Sequence, residues 1–130
     1  MSLTLVLRCL AVGCLIPVVL HVSLGVSGDG LIGIGVPDAI DASLDSQNRF
    51  YGATFLIYAA LLWTCSRDLR QHAAMLRLLL AIFFFGGLAR GLSALHYGLP
   101  SVEVMALWAV ELIAPPIIWV WLSRHLRDAA

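Results

Sequence analysis

The sequence predicts an all-α protein, an antiparallel four-helix transmembrane bundle with both termini cytoplasmic. Three observations carry this. Of 130 residues, 61% are hydrophobic and only 12% charged, whereas about a quarter of the residues of a soluble domain are charged. Four apolar stretches, at about 5–26, 46–65, 75–97 and 102–122, each approach the roughly 20 residues that cross a hydrocarbon core about 30 Å thick. The flanking charges alternate. Arg8, the group Arg67, Arg70 and Arg77, and Arg124 with Arg127 fall on one side of the spans, while Asp29, Asp38, Asp41, Asp45 and Glu103 fall on the other. Basic flanks stay cytoplasmic, so the acidic loops face out. The four spans and short loops use nearly the whole chain, which reads as a single membrane domain over 1–130.

The first stretch is longer than the apolar core of a signal peptide and is read as a retained span. Pro17 is expected to bend it, and His21 sits near its outer end. The connection at 27–45 is rich in glycine with interleaved Leu31, Ile32, Ile34 and Ile40, and is expected to fold over the helix ends as an outer capping loop. Within it, Gly28-Asp29-Gly30-Leu31-Ile32-Gly33 matches the letters of a dinucleotide-binding fingerprint. That fingerprint works only between a strand and a helix, and here it follows a membrane span, so nucleotide binding is set aside.

Asp45 is placed as the N-cap of the second helix, with Arg49 one turn on and on the same face. Gly52, Ala53, Leu56 and Ala60 continue that face as its packing side, with Tyr51 and Tyr58 pointing away. In the third span Phe83, Gly86, Gly87, Arg90, Ala94 and Tyr97 share a face, with Ser93 at its edge. Gly98-Leu99-Pro100 then turns the chain. The fourth span carries Glu111, and Pro115 and Pro116 deprive the carbonyls of Glu111 and Leu112 of their helical donors, which predicts a kink.

Arg90 is the most expensive residue in the chain, since an arginine at a bilayer centre costs about 2.5–3.5 kcal/mol on insertion scales. Glu111 lies at a comparable depth below the outer end of its helix, so an Arg90–Glu111 pair is the least costly way to accommodate both. Gln47, Asn48, Ser93, His21 and His96 add polar groups toward the same end, and with Asp45 and Arg49 they outline an outward-facing polar pocket. A purely structural reading stands beside it, in which Asp45 neutralises Arg49 and Glu111 neutralises Arg90 only to fix helix packing. His21, His96 and Glu111 lack the spacing of a helical metal site, so neither a metal nor any other cofactor is expected. Cys9, Cys14 and Cys65 lie in or near spans and read as apolar fillers. No cluster of basic residues with interleaved aromatics speaks for nucleic acid.

Leu31-Ile32-Gly33-Ile34-Gly35, Asp45-Ser46-Gln47-Asn48-Arg49-Phe50-Tyr51-Gly52, Gly86-Gly87-Leu88-Ala89-Arg90, Ser93, Gly98-Leu99-Pro100 and Glu111-Leu112 resemble a bacterial family known as domain of unknown function 4345. The resemblance covers about residues 28–118 and implies a small four-helix protein of the bacterial inner membrane, with no established activity. The expected function is a non-enzymatic one: binding a membrane lipid or small polar ligand, or serving as accessory subunit of a larger membrane complex or as a homo-oligomer. The alternatives are proton or solute translocation using Glu111, and an enzyme acting on a lipid or quinone. The inner halves of the spans, such as Leu76 to Phe85, carry almost no polar groups, which favours a dead-end pocket over a through-path.

Overall fold

The computed structural model describes residues 2–128. Their regular structure is helical: α1 (Leu3–Gly13), α2 (Leu15–Leu24), a 3-10 helix (Gly25–Ile32), α3 (Ala42–Arg67), α4 (Ala73–Tyr97) and α5 (Val102–Asp128). Taking α1 and α2 as one broken helix gives four principal helices. Three segments are long and apolar enough to cross a membrane: Leu3–Ile32, Ala73–Tyr97 and Val102–Asp128. The exception is α3, which has 26 residues but opens with Asp45, Ser46, Gln47, Asn48 and Arg49 and so falls short in apolarity, not in length.

Sequence explains where the chain bends and stops. The Ser2 hydroxyl accepts from the Leu5 amide and caps α1. The helix breaks at Cys14 because Pro17 has no N–H to give the Gly13 carbonyl, so the expected bend is a full interruption. Gly25 ends α2 at φ 61° and Gly33 ends the 3-10 helix at φ 79°, both in the left-handed region that favours glycine. The fingerprint-like stretch is thus mostly 3-10 helix, folded back on α2 and α3. Gly33 lies against the Glu103 side chain at the start of α5, and the irregular part of the connection is confined to 33–41.

Two boundaries differ from the sequence expectation. Asp41, not Asp45, is the N-cap of α3, accepting from the Leu44 amide at 2.8 Å. Asp45 lies within the first turn, where its carboxylate is free to reach outside its own helix. In addition, α5 runs unbroken through Pro115 and Pro116 and on to Asp128.

The helices pack as two pairs. The α1–α2 segment lies along α3, and α4 lies along α5; α3 and α4 meet at fewer points. One buried cluster unites the pairs at a single end: Leu3, Leu7, Cys65, Leu69, Leu76 and Leu122 belong to it, with Leu7, Leu76 and Leu122 fully enclosed. Among lipid tails, burial of such side chains gains van der Waals contact rather than release from water. Tyr58 leans on Phe83, centroids 6.1 Å apart, where α3 approaches α4. Outward, Leu95 is 82% exposed and Leu99 75%, apolar surface that suits a lipid environment and not water.

The packing side of α3 is Gly52, Ala59, Leu62, Cys65 and Ser66. Ala53, Leu56 and Ala60 are exposed, and Tyr58 packs against the core, the reverse of the sequence assignment. A Cβ on Gly52 would stand 2.5 Å from the His21 Cβ and 3.1 Å from the Pro17 carbonyl oxygen, so this glycine sets how closely α2 and α3 approach. On α4, Gly87 has the same role against α5, whereas Gly86 faces open space.

Candidate functional site

Two separate polar networks form at the end remote from the leucine-rich cluster. In the first, the Arg49 Nε donates to Asp45 Oδ2 at 2.7 Å and Nη1 donates to the Val22 carbonyl at 2.7 Å, with Ser23 O at 3.4 Å. The other Asp45 oxygen accepts from the Val26 amide at 3.2 Å. Arg49 therefore caps the last turn of α2, whose carbonyls lack helical donors and where a positive charge suits the negative end of the helix dipole. Asp45 catches the first amides beyond. Beside them, His21 Nε2 meets Asp29 Oδ1 at 2.8 Å and Asn48 Nδ2 donates to Asp29 Oδ2 at 3.4 Å. Together these contacts fasten α2 and the 3-10 helix to the top of α3.

The arginine's hydrogen bond, and after it the Val26 amide, hold the Asp45 carboxyl below the ordinary aspartate value of about 3.9. A carboxyl whose value is lower folded than unfolded contributes its stability above the unfolded value and loses it as the pH falls through the folded one. The protection factor of the Val26 amide, the exchange rate of the unfolded amide relative to its own at the same pH, is therefore expected to hold down to about pH 4 and to fall only below it. In Asp45→Asn the protection is expected to be reduced already at neutral pH.

The second network joins α4 to α5. Arg90 Nε donates to Glu111 Oε2 at 2.7 Å, and the Trp108 indole N–H donates to the Gly87 carbonyl at 2.7 Å. Gly87 makes this possible, since its missing side chain lets the backbone rest against Glu111 and Leu112. The Glu111 side chain is 11% exposed and that of Arg90 43%. The carboxylate is thus sunk between helices while the guanidinium reaches from it toward the surface. Among the described residues, Arg90 has no partner besides Glu111.

The pairs Asp45–Arg49 and Arg90–Glu111, expected from sequence, both form, and Asn48 and His21 join the first network. Gln47, Ser93 and His96 do not join either: all three are exposed, and His96 rests only beside its neighbour Tyr97. The nine residues singled out in the sequence consequently do not line one chamber. Arg49 is committed to backbone carbonyls and lies in a different helix pair from Arg90. Asp29 and Trp108 belong to the networks without having been singled out. Asp29 lies eight residues from its histidine across a 3-10 helix, a spacing with no helical period to reveal it.

The principal cavities are apolar and lie elsewhere. One, of about 320 Å³, runs between α4 and α5 along Leu80, Ala81, Phe84, Phe85, Pro115, Pro116, Trp119 and Val120. A second, of about 50 Å³, lies where Leu10, Cys14, Tyr58, Leu62, Phe83 and Pro115 converge. Neither wall contains a charged residue; the ionic groups sit on helix contacts and at the rim instead. Among the described residues no three His, Cys, Asp or Glu side chains gather in a way that would hold a metal ion.

Described residues whose regular structure is only helical, three segments of them long and apolar enough to cross a membrane, give the chain the character of a membrane protein. The chain belongs to the family described as domain of unknown function DUF4345, whose sequence profile matches residues 5–122. Comparison with curated proteins and with solved structures gave no match.

Proposed function

We propose that the protein is a non-enzymatic binding protein that holds an oxyanion, a phosphate or carboxylate either free or on a lipid head group, at Arg90. The observation that carries this is the use of only one edge of the guanidinium. Glu111 takes Nε, and among the described residues no protein acceptor takes the terminal nitrogens, on a side chain 43% exposed. That open edge is a fork of parallel N–H donors, the geometry that bidentate oxyanions match. Glu111 fixes the plane of the fork in advance, so little rotamer entropy is lost on binding. The sealed leucine cluster at the opposite end supports a dead-end site over a translocation path.

In this reading α3 completes four antiparallel crossings, its polar first turns lying at the head-group level. Both termini are cytoplasmic, the acidic loops face the periplasm, and the membrane is the bacterial inner membrane. The uneven placement of the arginines supports that sidedness.

The test uses the full chain in zwitterionic lipid nanodiscs, titrated calorimetrically with inorganic phosphate and acetate and, in a second arm, prepared with increasing phosphatidylglycerol. Binding in at least one arm is expected, and Arg90→Gln is expected to weaken it about tenfold or more, since a charge-assisted hydrogen bond contributes about 1.5–3 kcal/mol. Arg49→Gln, whose donors are occupied by α2, is expected to leave it unchanged. Absence of binding in both arms, or equal binding by wild type and Arg90→Gln, would overturn the proposal.

A further inference from the structure

The 320 Å³ groove between α4 and α5 has a cation at one end. Arg77 lies one turn from Ala81, and its guanidinium stands 5.8 Å from the centre of the Trp119 ring, which is itself part of the groove wall. The Arg77 Nε is buried and has no hydrogen-bond partner. An N–H in that condition is costly until an acceptor arrives. The groove itself has a floor of buried Leu80 and Pro115 and opens past Phe85 and Val120, which are 66% and 50% exposed. Ala81 leaves room that a longer side chain would fill.

Depth decides what fits. Arg77 is four residues into α4, about 6 Å from its start, on the arginine-rich side of the molecule, while Leu80 to Phe85 run roughly 10–18 Å in. The cation is therefore at the level of head groups and the groove at the level of acyl chains. We infer that this groove holds one acyl chain of an anionic phospholipid whose phosphate accepts from Arg77, on the leaflet opposite the Arg90 site. Positive charge over an aromatic face at the mouth and an all-apolar wall beneath complement that ligand and no soluble anion. The inference is independent of the Arg90 proposal, because the two arginines are 13 residues apart on α4, about 20 Å.

The test is native mass spectrometry of the full chain released from nanodiscs of phosphatidylcholine with a minor fraction of phosphatidylglycerol. Wild type is expected to retain at least one phosphatidylglycerol per chain in preference to phosphatidylcholine. Arg77→Gln is expected to lower retention of one phosphatidylglycerol per chain about tenfold, Ala81→Phe to lower retention of both lipids, and Arg49→Gln, whose donors are taken by α2, to leave retention unchanged. Circular dichroism melting is the control for folding, and Arg77→Gln, which removes no core side chain, keeps the test decisive if Ala81→Phe does not fold. The inference is overturned by equal retention of the two lipids in wild type, by undiminished retention in Arg77→Gln, by release of the lipid with millimolar inorganic phosphate, or by cross-linking of Ala81→Cys chains to one another through the groove.

Discussion

Glu111→Ala is expected to destabilise the protein by about 2–3 kcal/mol, measured by reversible unfolding in bicelles. Removing one partner of a buried ion pair costs about 3–5 kcal/mol because the other charge is stranded. Here the stranded group is Arg90, and with its side chain 43% exposed it regains part of that cost by turning outward. Arg90→Ala removes a side chain that is already 43% exposed and so gives up less packing, and a smaller loss, about 1–2 kcal/mol, is expected. Glu111→Gln keeps an acceptor oxygen in place and is expected to fall below Glu111→Ala. The size of the Glu111→Gln loss separates the causes, since loss of packing volume alone would leave that near-isosteric substitution close to neutral.

Gly52→Leu is expected to cost about 3 kcal/mol or more, the upper range for overpacking. The first carbon of any side chain would already be 2.5 Å from the His21 Cβ, and a backbone carbonyl, that of Pro17, blocks the next direction at 3.1 Å. Neither α2 nor α3 has slack there, because Arg49 ties the two together one turn away. Gly86→Leu serves as control. Nothing lies within 4 Å of a Cβ at that position, so a change within about 0.5 kcal/mol is expected. Equal losses at both glycines would mean that helix approach is not set at Gly52.

Much of this architecture was legible, and for one reason: charge is so costly in lipid that its placement is constrained. Arg90 and Glu111 could be paired from depth alone, and the structure joins them. Asp45 and Arg49 followed from a single helical turn. What escaped notice involves groups whose cost is not written in their letters. Arg49 spends its remaining donors on the carbonyls of Val22 and Ser23, and backbone acceptors have no sequence signature. The packing side of α3 was misassigned because apolar residues occupy both its lipid face and its core face, so periodicity no longer marks the inside. Three aspartates, Asp38, Asp41 and Asp45, precede or open that helix, and the hydrogen bond to Leu44 selects Asp41 as cap where composition gives no preference. The separation of Arg49 from Arg90 escaped notice for a related reason. Polar residues at the same depth were assumed to share a space, but the two helix pairs keep Arg49 and Arg90 in separate networks.

The account turns on whether Arg90 and Glu111 stabilise the fold through each other. The most direct measurement is a double-mutant cycle of Arg90→Ala and Glu111→Ala, followed by unfolding free energy in the same bicelles. A coupling of about 1.5–3 kcal/mol is expected for a charge-assisted hydrogen bond between groups in contact. Strict additivity, with the double variant losing the full sum of the single losses, would contradict it.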